Sequence, residues 1–172
     1  VIHRLMACHP DLIHSISCTT RPARPGRVDE GYYEMLTDDE FRAGIAAGRF
    51  AEWAEVHGHL YGTPRAPLDG WLAEGRDVVL DLDVVAALAL KAAFPGQAVT
   101  VFLLPPSIPE LERRLALRGT DSPDVRAVRL ANALKELESA DRFDFRVVND
   151  DLDRCCREVE AILYGRADGE AR

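Results

Sequence analysis

Apolar and polar positions along this chain alternate between two rhythms. Leu12 to Ser17, Asp77 to Leu82, Ala98 to Leu104 and Phe145 to Val148 are short runs rich in apolar residues, and each predicts a buried strand. The second and third carry apolar residues at consecutive positions, as expected of parallel strands covered on both faces. Helical patterns fill the intervals. Residues 83–93 are rich in Ala and Leu and stop before Phe94-Pro95-Gly96. Ser107-Ile108-Pro109-Glu110 has the form of a capping box leading into Leu111, Leu115 and Leu117. Ser122 followed by Pro123 reads as an N-cap with proline at the first helical position, opening a long helix to about Arg142. A last helix is expected from about Leu152 to Leu163. Strands alternating with helices of this length predict an α/β fold with a parallel sheet.

The stretch from Cys18 to about Arg76 breaks the rhythm. It starts with a loop rich in Pro, Arg and Gly, carries aromatics at Tyr32, Tyr33, Phe50, Trp53 and Tyr61, and holds a short helix capped by Thr37 with Glu40 at its third position. A mixed α+β insertion hung on a parallel sheet is expected to form a substrate-binding lobe.

Composition narrows the classes. The chain has 172 residues, 47% hydrophobic and 29% charged, which suits one globular domain. No apolar run is long enough to span a membrane, and no secretory signal stands at the start. A net charge of −8 argues against a nucleic-acid binder, though clustered arginines can still create a local anion site. Cys8, Cys18, Cys155 and Cys156 lack metal-site spacing and read as buried free thiols of a cytoplasmic protein.

Four groups of residues carry candidate chemistry. In Ser15-Ile16-Ser17-Cys18-Thr19-Thr20-Arg21-Pro22-Ala23-Arg24, hydroxyls and guanidinium groups gather where a strand ends, a place where α/β sheets bind ligands. Arg21 and Arg24 could grip one phosphate in bidentate fashion; the same residues would also suit a solvated basic loop. From Phe50 to Thr63, Glu52, Tyr61 and Thr63 lie among bulky apolar residues. A carboxylate there could accept both N1–H and the 2-amino group of guanine, with a hydroxyl donating to O6. The bland alternative keeps Trp53 and Tyr61 in the core and Glu52 in water. Asp81 and Asp83 end a strand and would share a face if it continued, serving a Mg²⁺ hydration shell or a base; Asp83 equally suits a helix N-cap. Arg113, Arg114, Arg118, Arg126 and Arg129 flank Gly119-Thr120-Asp121, an arrangement suited to a lid over a phosphoryl group in transfer or to two solvated helix faces.

Taken in order, Ser15 to Gly26, Tyr33, Phe50-x-Glu52-Trp53, Tyr61-Gly62-Thr63, Asp81-x-Asp83, Pro105-Pro106-Ser107, the set Arg114, Arg118-Gly119-Thr120 and Arg129, and Val147-Val148-Asn149-Asp150 resemble guanylate kinases across nearly the whole chain. The resemblance implies a P-loop-kinase-type, three-layer parallel sheet with helices on both faces and an inserted GMP-binding lobe at about 18–76. It implies that Arg21, Arg24, Tyr33 and Tyr61 hold the GMP phosphate, and that Ser17, Glu52, Thr63 and Asp83 read guanine. Arg114, Arg118 and Arg129 would bridge the phosphates of ATP and GMP from a lid at about 114–129. Asn149 would lie near the adenine and Asp81 near Mg²⁺. The implied reaction takes ATP and GMP to ADP and GDP by direct in-line transfer.

Three departures stand out. Arg27 occupies a position where the family usually has Glu, and Val85-Ala86 replaces the usual Gln-Gly. The family opens with a strand and G-x-x-G-x-G-K-[ST], and no such run occurs in these residues; Val1 to Leu5 resemble the helix that follows that loop. The expectation is a sequence record that starts late. The alternative is a kinase-like module without catalysis that binds a phosphorylated peptide or GMP alone.

Overall fold

The computed structural model describes residues 1–23, 33–56, 58–117 and 123–165, with the side chains of 123–126 left aside. Arg24, Arg27, Arg118, the Gly119-Thr120-Asp121 hinge and Ser122 fall outside the described residues, and Arg126 falls among the omitted side chains. The chain divides into two compact units, Ile2–Ala98 and Val99–Arg172, the latter taking in Val1.

The first unit opens with helix α1 (Ile2–Cys8), strand β1 (Ile13–His14) and strand β2 (Ser17–Thr19). The run expected as one strand over 12–17 is therefore split, with Ser17 already belonging to a different sheet. Strands β3 (Tyr33–Met35), β4 (Phe50–Val56) and β5 (His59–Pro64) follow, with α2 (Asp38–Ala46) between β3 and β4. They join β2 in a four-stranded sheet of order β3-β2-β5-β4, the mixed insertion expected from the sequence. The capping box of α2 is complete, since the Thr37 hydroxyl accepts from the Glu40 amide while the Glu40 carboxylate accepts from the Thr37 amide at 2.8 Å. Helix α3 (Arg65–Ala73), strand β6 (Val78–Val79) and helix α4 (Val84–Ala93) complete the unit, and β6 pairs in parallel with β1.

The second unit contains β7 (Val101–Leu104), α5 (Ile108–Leu117), α6 (Pro123–Leu137), a 3₁₀ turn (Ala140–Arg142), β8 (Phe145–Val148) and α7 (Leu152–Tyr164). Strands β7 and β8 are parallel and in register from Val101 opposite Phe145 to Leu104 opposite Val148. Thr100 locks the entry of this ladder, because its amide and hydroxyl both donate to Asp144 Oδ2, at 2.9 and 2.8 Å. Helix α6 stops at Leu137, short of the expected Arg142, because the chain tightens into the 3₁₀ turn.

The α/β class holds, but the four core runs are less buried than their apolar character predicts. Of all the residues in β1, β6, β7 and β8, only Val147 is fully buried, and Leu103 is 40% exposed. Each of these ladders has two strands, so every strand keeps one edge that no described residue pairs. A buried cluster lies under the four-stranded sheet, where Phe41 stacks on Phe50 at 4.4 Å between centroids beside Cys18 and Leu60. Among the described residues no helix is long and apolar enough to cross a membrane.

Candidate functional site

Side chains alternate between the faces of a sheet, so register decides which residues meet. Cys18 and Thr19 of β2 lie opposite Gly62 and Tyr61, and Ser17 lies opposite Tyr33. In the β4–β5 pair, Glu52 lies opposite Thr63 and Ala54 opposite Tyr61. One face of the sheet therefore carries Ser17, Tyr33, Glu52, Tyr61 and Thr63, while Cys18, Leu60 and Gly62 turn to α2. Five residues singled out from the sequence share a single surface.

Two subsites can be distinguished on that face. At the first, Glu52 is 7% exposed and Thr63 fully buried, and the Thr63 hydroxyl donates to Glu52 Oε1 at 2.5 Å. The second carboxylate oxygen, Oε2, is buried and has no hydrogen-bond partner among the described residues. Burial raises the Glu52 pKa; the Thr63 hydroxyl opposes that shift, and the negative charge of Asp83 adds to it. The bland alternative for this segment is reversed: Glu52 is inside, and Trp53 is 48% exposed. The Thr63 hydroxyl proton is directed at Glu52, and Ser17 lies on the same face.

At the second subsite, the Tyr33 and Tyr61 rings meet edge to face at 5.9 Å, and the Arg21 guanidinium lies 5.5 Å from the Tyr33 centroid. This brings two phenols and a guanidinium together, groups whose N–H and O–H donors could serve an anion. The neighbouring hydroxyls have structural duties instead. Thr19 donates to Leu60 O at 2.9 Å and Thr20 accepts from Leu60 N at 3.0 Å, which ties β2 to β5.

Asp81 and Asp83 do not share a strand face, because β6 ends at Val79. Asp83 is the N-cap of α4, its Oδ1 accepting from Val85 N at 2.8 Å and Ala86 N at 3.1 Å. Asp81 is exposed, and its charge acts on His14, whose pKa is lowered chiefly by burial. Among the described residues no group of three His, Cys, Asp or Glu side chains could hold a metal ion. All four cysteines are free, but Cys8 is exposed rather than buried. Cys18 is buried, and burial together with Glu34 pushes its thiol up to about 12, which leaves it unreactive.

Helix α5 gives Arg114 a partner that the sequence reading passed over. Glu110 accepts from Arg113 Nε and from Arg114 Nε, each at 2.7 Å, and these contacts bring its pKa down to about 2. The spacings of three and four residues were the available signal. Glu110 thus turns forward to the arginines rather than back to Ser107, whose hydroxyl accepts only from the Glu110 amide. Arg129 on α6 and Asn149 after β8 are half-buried, and the Asn149 amide extends the β7–β8 ladder by donating to Leu104 O at 2.8 Å.

The profile of the family described as guanylate kinase matches residues 1–165. The chain belongs to the guanylate kinase family. The guanylate kinase of Symbiobacterium thermophilum is 46% identical over 163 residues, covering 95% of this chain and 77% of that protein. That of Sphingopyxis alaskensis is 47% identical over 153 residues, covering 89% and 70%. A crystal structure of guanylate kinase from Anaplasma phagocytophilum superposes with a TM-score of 0.83 at 27% identity, covering 98% of this chain and 81% of that one. Family and fold agree with the resemblance carried by the sequence motifs.

Proposed function

We propose that this guanylate kinase family chain transfers the γ-phosphoryl group of ATP to GMP, giving GDP and ADP, and that the sheet face holds the GMP. The observation that carries this reading is the buried, unpartnered Oε2 of Glu52. Leaving such an oxygen unsatisfied costs on the order of 1–3 kcal/mol or more. Guanine has the remedy, since N1–H and the 2-amino group are adjacent donors that a carboxylate can accept together. Adenine lacks that donor pair. Ser17 donates to O6, Thr63 holds Glu52 in place, and Asp83 lends negative charge nearby. Arg21, Tyr33 and Tyr61, with Arg24, take the monophosphate.

In the transfer, an oxygen of the GMP phosphate attacks the γ-phosphorus and the bond to the bridging oxygen of ADP breaks. The chain's own part is to orient the phosphate and to bring guanidinium charge to the moving group, a role that falls to Arg114, Arg118 and Arg129 on a lid at about 114–129. Asn149 contacts adenine. When bound, Mg²⁺ would neutralise charge on the phosphates, and the exposed carboxylate of Asp81 would help to hold its hydration shell.

Calorimetric titration with GMP and AMP tests the reading. GMP should bind about 10²-fold more tightly, because AMP leaves the buried acceptor unpaired. Equal affinities would remove guanine recognition from this face. A phosphotyrosyl peptide that bound while GMP did not would assign the Arg21, Tyr33 and Tyr61 cradle to a peptide instead.

A further inference from the structure

Phe50 and Glu52 are two residues apart on one strand, so an unbroken pleat would turn both side chains to the same face. They do opposite things. Phe50 is 6% exposed in the cluster beside α2, and Glu52 lies on the ligand face. The register explains how. Phe50 lies opposite Pro64 and Glu52 opposite Thr63, which are consecutive, so Ala51 is an extra residue left out of the pairing, a β-bulge. The bulge carbonyl, Ala51 O, accepts from Arg65 Nη2 at 3.4 Å.

What fixes the bulge is the seat of the Phe50 ring. A Cβ added at Gly62 would lie 3.0 Å from Phe50 Cδ1 and 3.0 Å from Phe41 Cζ. A Cβ added at Gly44, on the facing helix, would lie 3.0 Å from Phe50 Cε2. The ring is held between two bare glycine backbones and against Phe41, 4.4 Å away. A methyl group on either side would press on the ring, which would have to give by a few tenths of an ångström. Phe50 precedes the extra residue of the bulge, so pressure on its ring bears on the bulge, and the register across the bulge sets the face on which Glu52 lies.

We propose that Gly62 and Gly44 are positioning residues for base recognition, seating Phe50 so that the bulge at Ala51 turns Glu52 onto the ligand face. The proposal rests on the reading of that face as a guanine site. It adds that specificity is set from the opposite side of the sheet, by residues that touch no ligand. In this view Gly62 stands between Tyr61 and Thr63 because a side chain there would displace the carboxylate that Thr63 holds.

The test compares GMP binding by calorimetry in the parent chain, Gly62→Ala, Gly44→Ala and the control Gly70→Ala, whose added methyl meets nothing within 4 Å. Gly62→Ala should weaken GMP binding by about 3- to 10-fold, since the ring must give by a few tenths of an ångström and a full 1 Å misplacement costs about 100-fold. Adding Phe50→Leu to Gly62→Ala, which removes the displaced ring, should recover most of the affinity. Gly44→Ala should weaken GMP binding by about 3-fold while its thermal midpoint stays close to the parent's, because the gain alanine brings to the helix offsets the crowding against Phe50. Affinity and stability moving apart is a result that a merely structural role would not give. Failure of the parent to bind GMP would overturn the reading of the face itself. A parent that binds, with folded Gly44→Ala binding equally well, would overturn the positioning role alone, whether or not Gly62→Ala folds.

Discussion

Glu52 on β4 and Glu110 on α5 are the same side chain in opposite circumstances. Glu52 is buried, accepts one hydroxyl, and has an oxygen that no described residue meets; its pKa is raised. Glu110 accepts from two guanidinium groups at the surface, and its pKa falls to about 2. The sheet face thus holds an unmet hydrogen-bond demand, which a ligand of matching chemistry relieves. Helix α5 holds arginines already paired with a carboxylate, so a phosphate must compete with Glu110 for them. The first arrangement selects a ligand by what it offers. The second responds to charge alone, which suits groups that act on any phosphoryl oxygen.

The most severe break of this contrast should come from the arginine side, in rate rather than in affinity. Arg114→Ala is expected to lower turnover by about 10²- to 10³-fold, since charge supplied to a transferring phosphoryl group acts mainly in the transition state. The GMP dissociation constant should stay within about threefold, because the sheet face is untouched. Steady-state kinetics alongside calorimetry would separate the two. An equal loss in both would make Arg114 a ground-state ligand of GMP.

Glu52→Gln is the counterpart on the sheet. GMP affinity should fall by about 10²-fold, because the amide can accept only once where the carboxylate accepts twice and its NH₂ meets the donors of guanine. Stability should move the other way. A carboxyl whose folded pKa is raised stabilises the fold fully below its ordinary value of 4.5, and that contribution is lost as pH rises through the folded value. Glutamine has no such loss. The ligand-free variant should therefore match the parent at about pH 4 and exceed it at about pH 8 in denaturant midpoint. A variant less stable than the parent at both values would mean that the ionised carboxylate is needed by the fold.

How much of this contrast was legible beforehand differs between the two regions. Glu52, Tyr61 and Thr63 were named from residue type and spacing, and Ser17 and Tyr33 took their roles from the resemblance to guanylate kinases; the register brings all five to one surface. Helix ends were readable wherever a local signal sets them, as at Thr37 with Glu40 and at Pro123. The bulge at Ala51 was not readable, because a one-residue slip is decided by packing across strands, and Phe50-Ala51-Glu52 alone looks like plain alternation. The limits of β1 and β6 were overestimated because apolar runs report burial preference, whereas strand length depends on which partner backbone is present. The Asp81 and Asp83 pairing failed for the same reason.

Arg21→Ala sharpens the division within the sheet face. Its guanidinium lies 5.5 Å from the Tyr33 ring centroid, in the subsite assigned to the phosphate. Loss of one charge-assisted contact should weaken GMP binding by about 10-fold while leaving guanosine binding unchanged. Equal loss for nucleotide and nucleoside would place Arg21 in support of the base subsite.

The smallest effect is expected at Glu110. If its pairs with Arg113 and Arg114 only hold the arginines until phosphate arrives, Glu110→Gln should lower the apparent KM for ATP by about two- to threefold, with turnover nearly unchanged, since exposed ion pairs contribute little. The pH dependence follows from the sign of its shift. A depressed carboxyl stabilises above its ordinary 4.5 and loses that contribution only as pH falls towards about 2. Glu110 therefore stays ionised throughout the neutral range, and parent and variant should differ by a constant factor from about pH 6 to pH 9. Release of the arginines must then come from competition by phosphate and not from protonation. A ratio that changed across that range, or a tenfold change in turnover, would make Glu110 a participant in the transfer rather than a resting partner of the arginines.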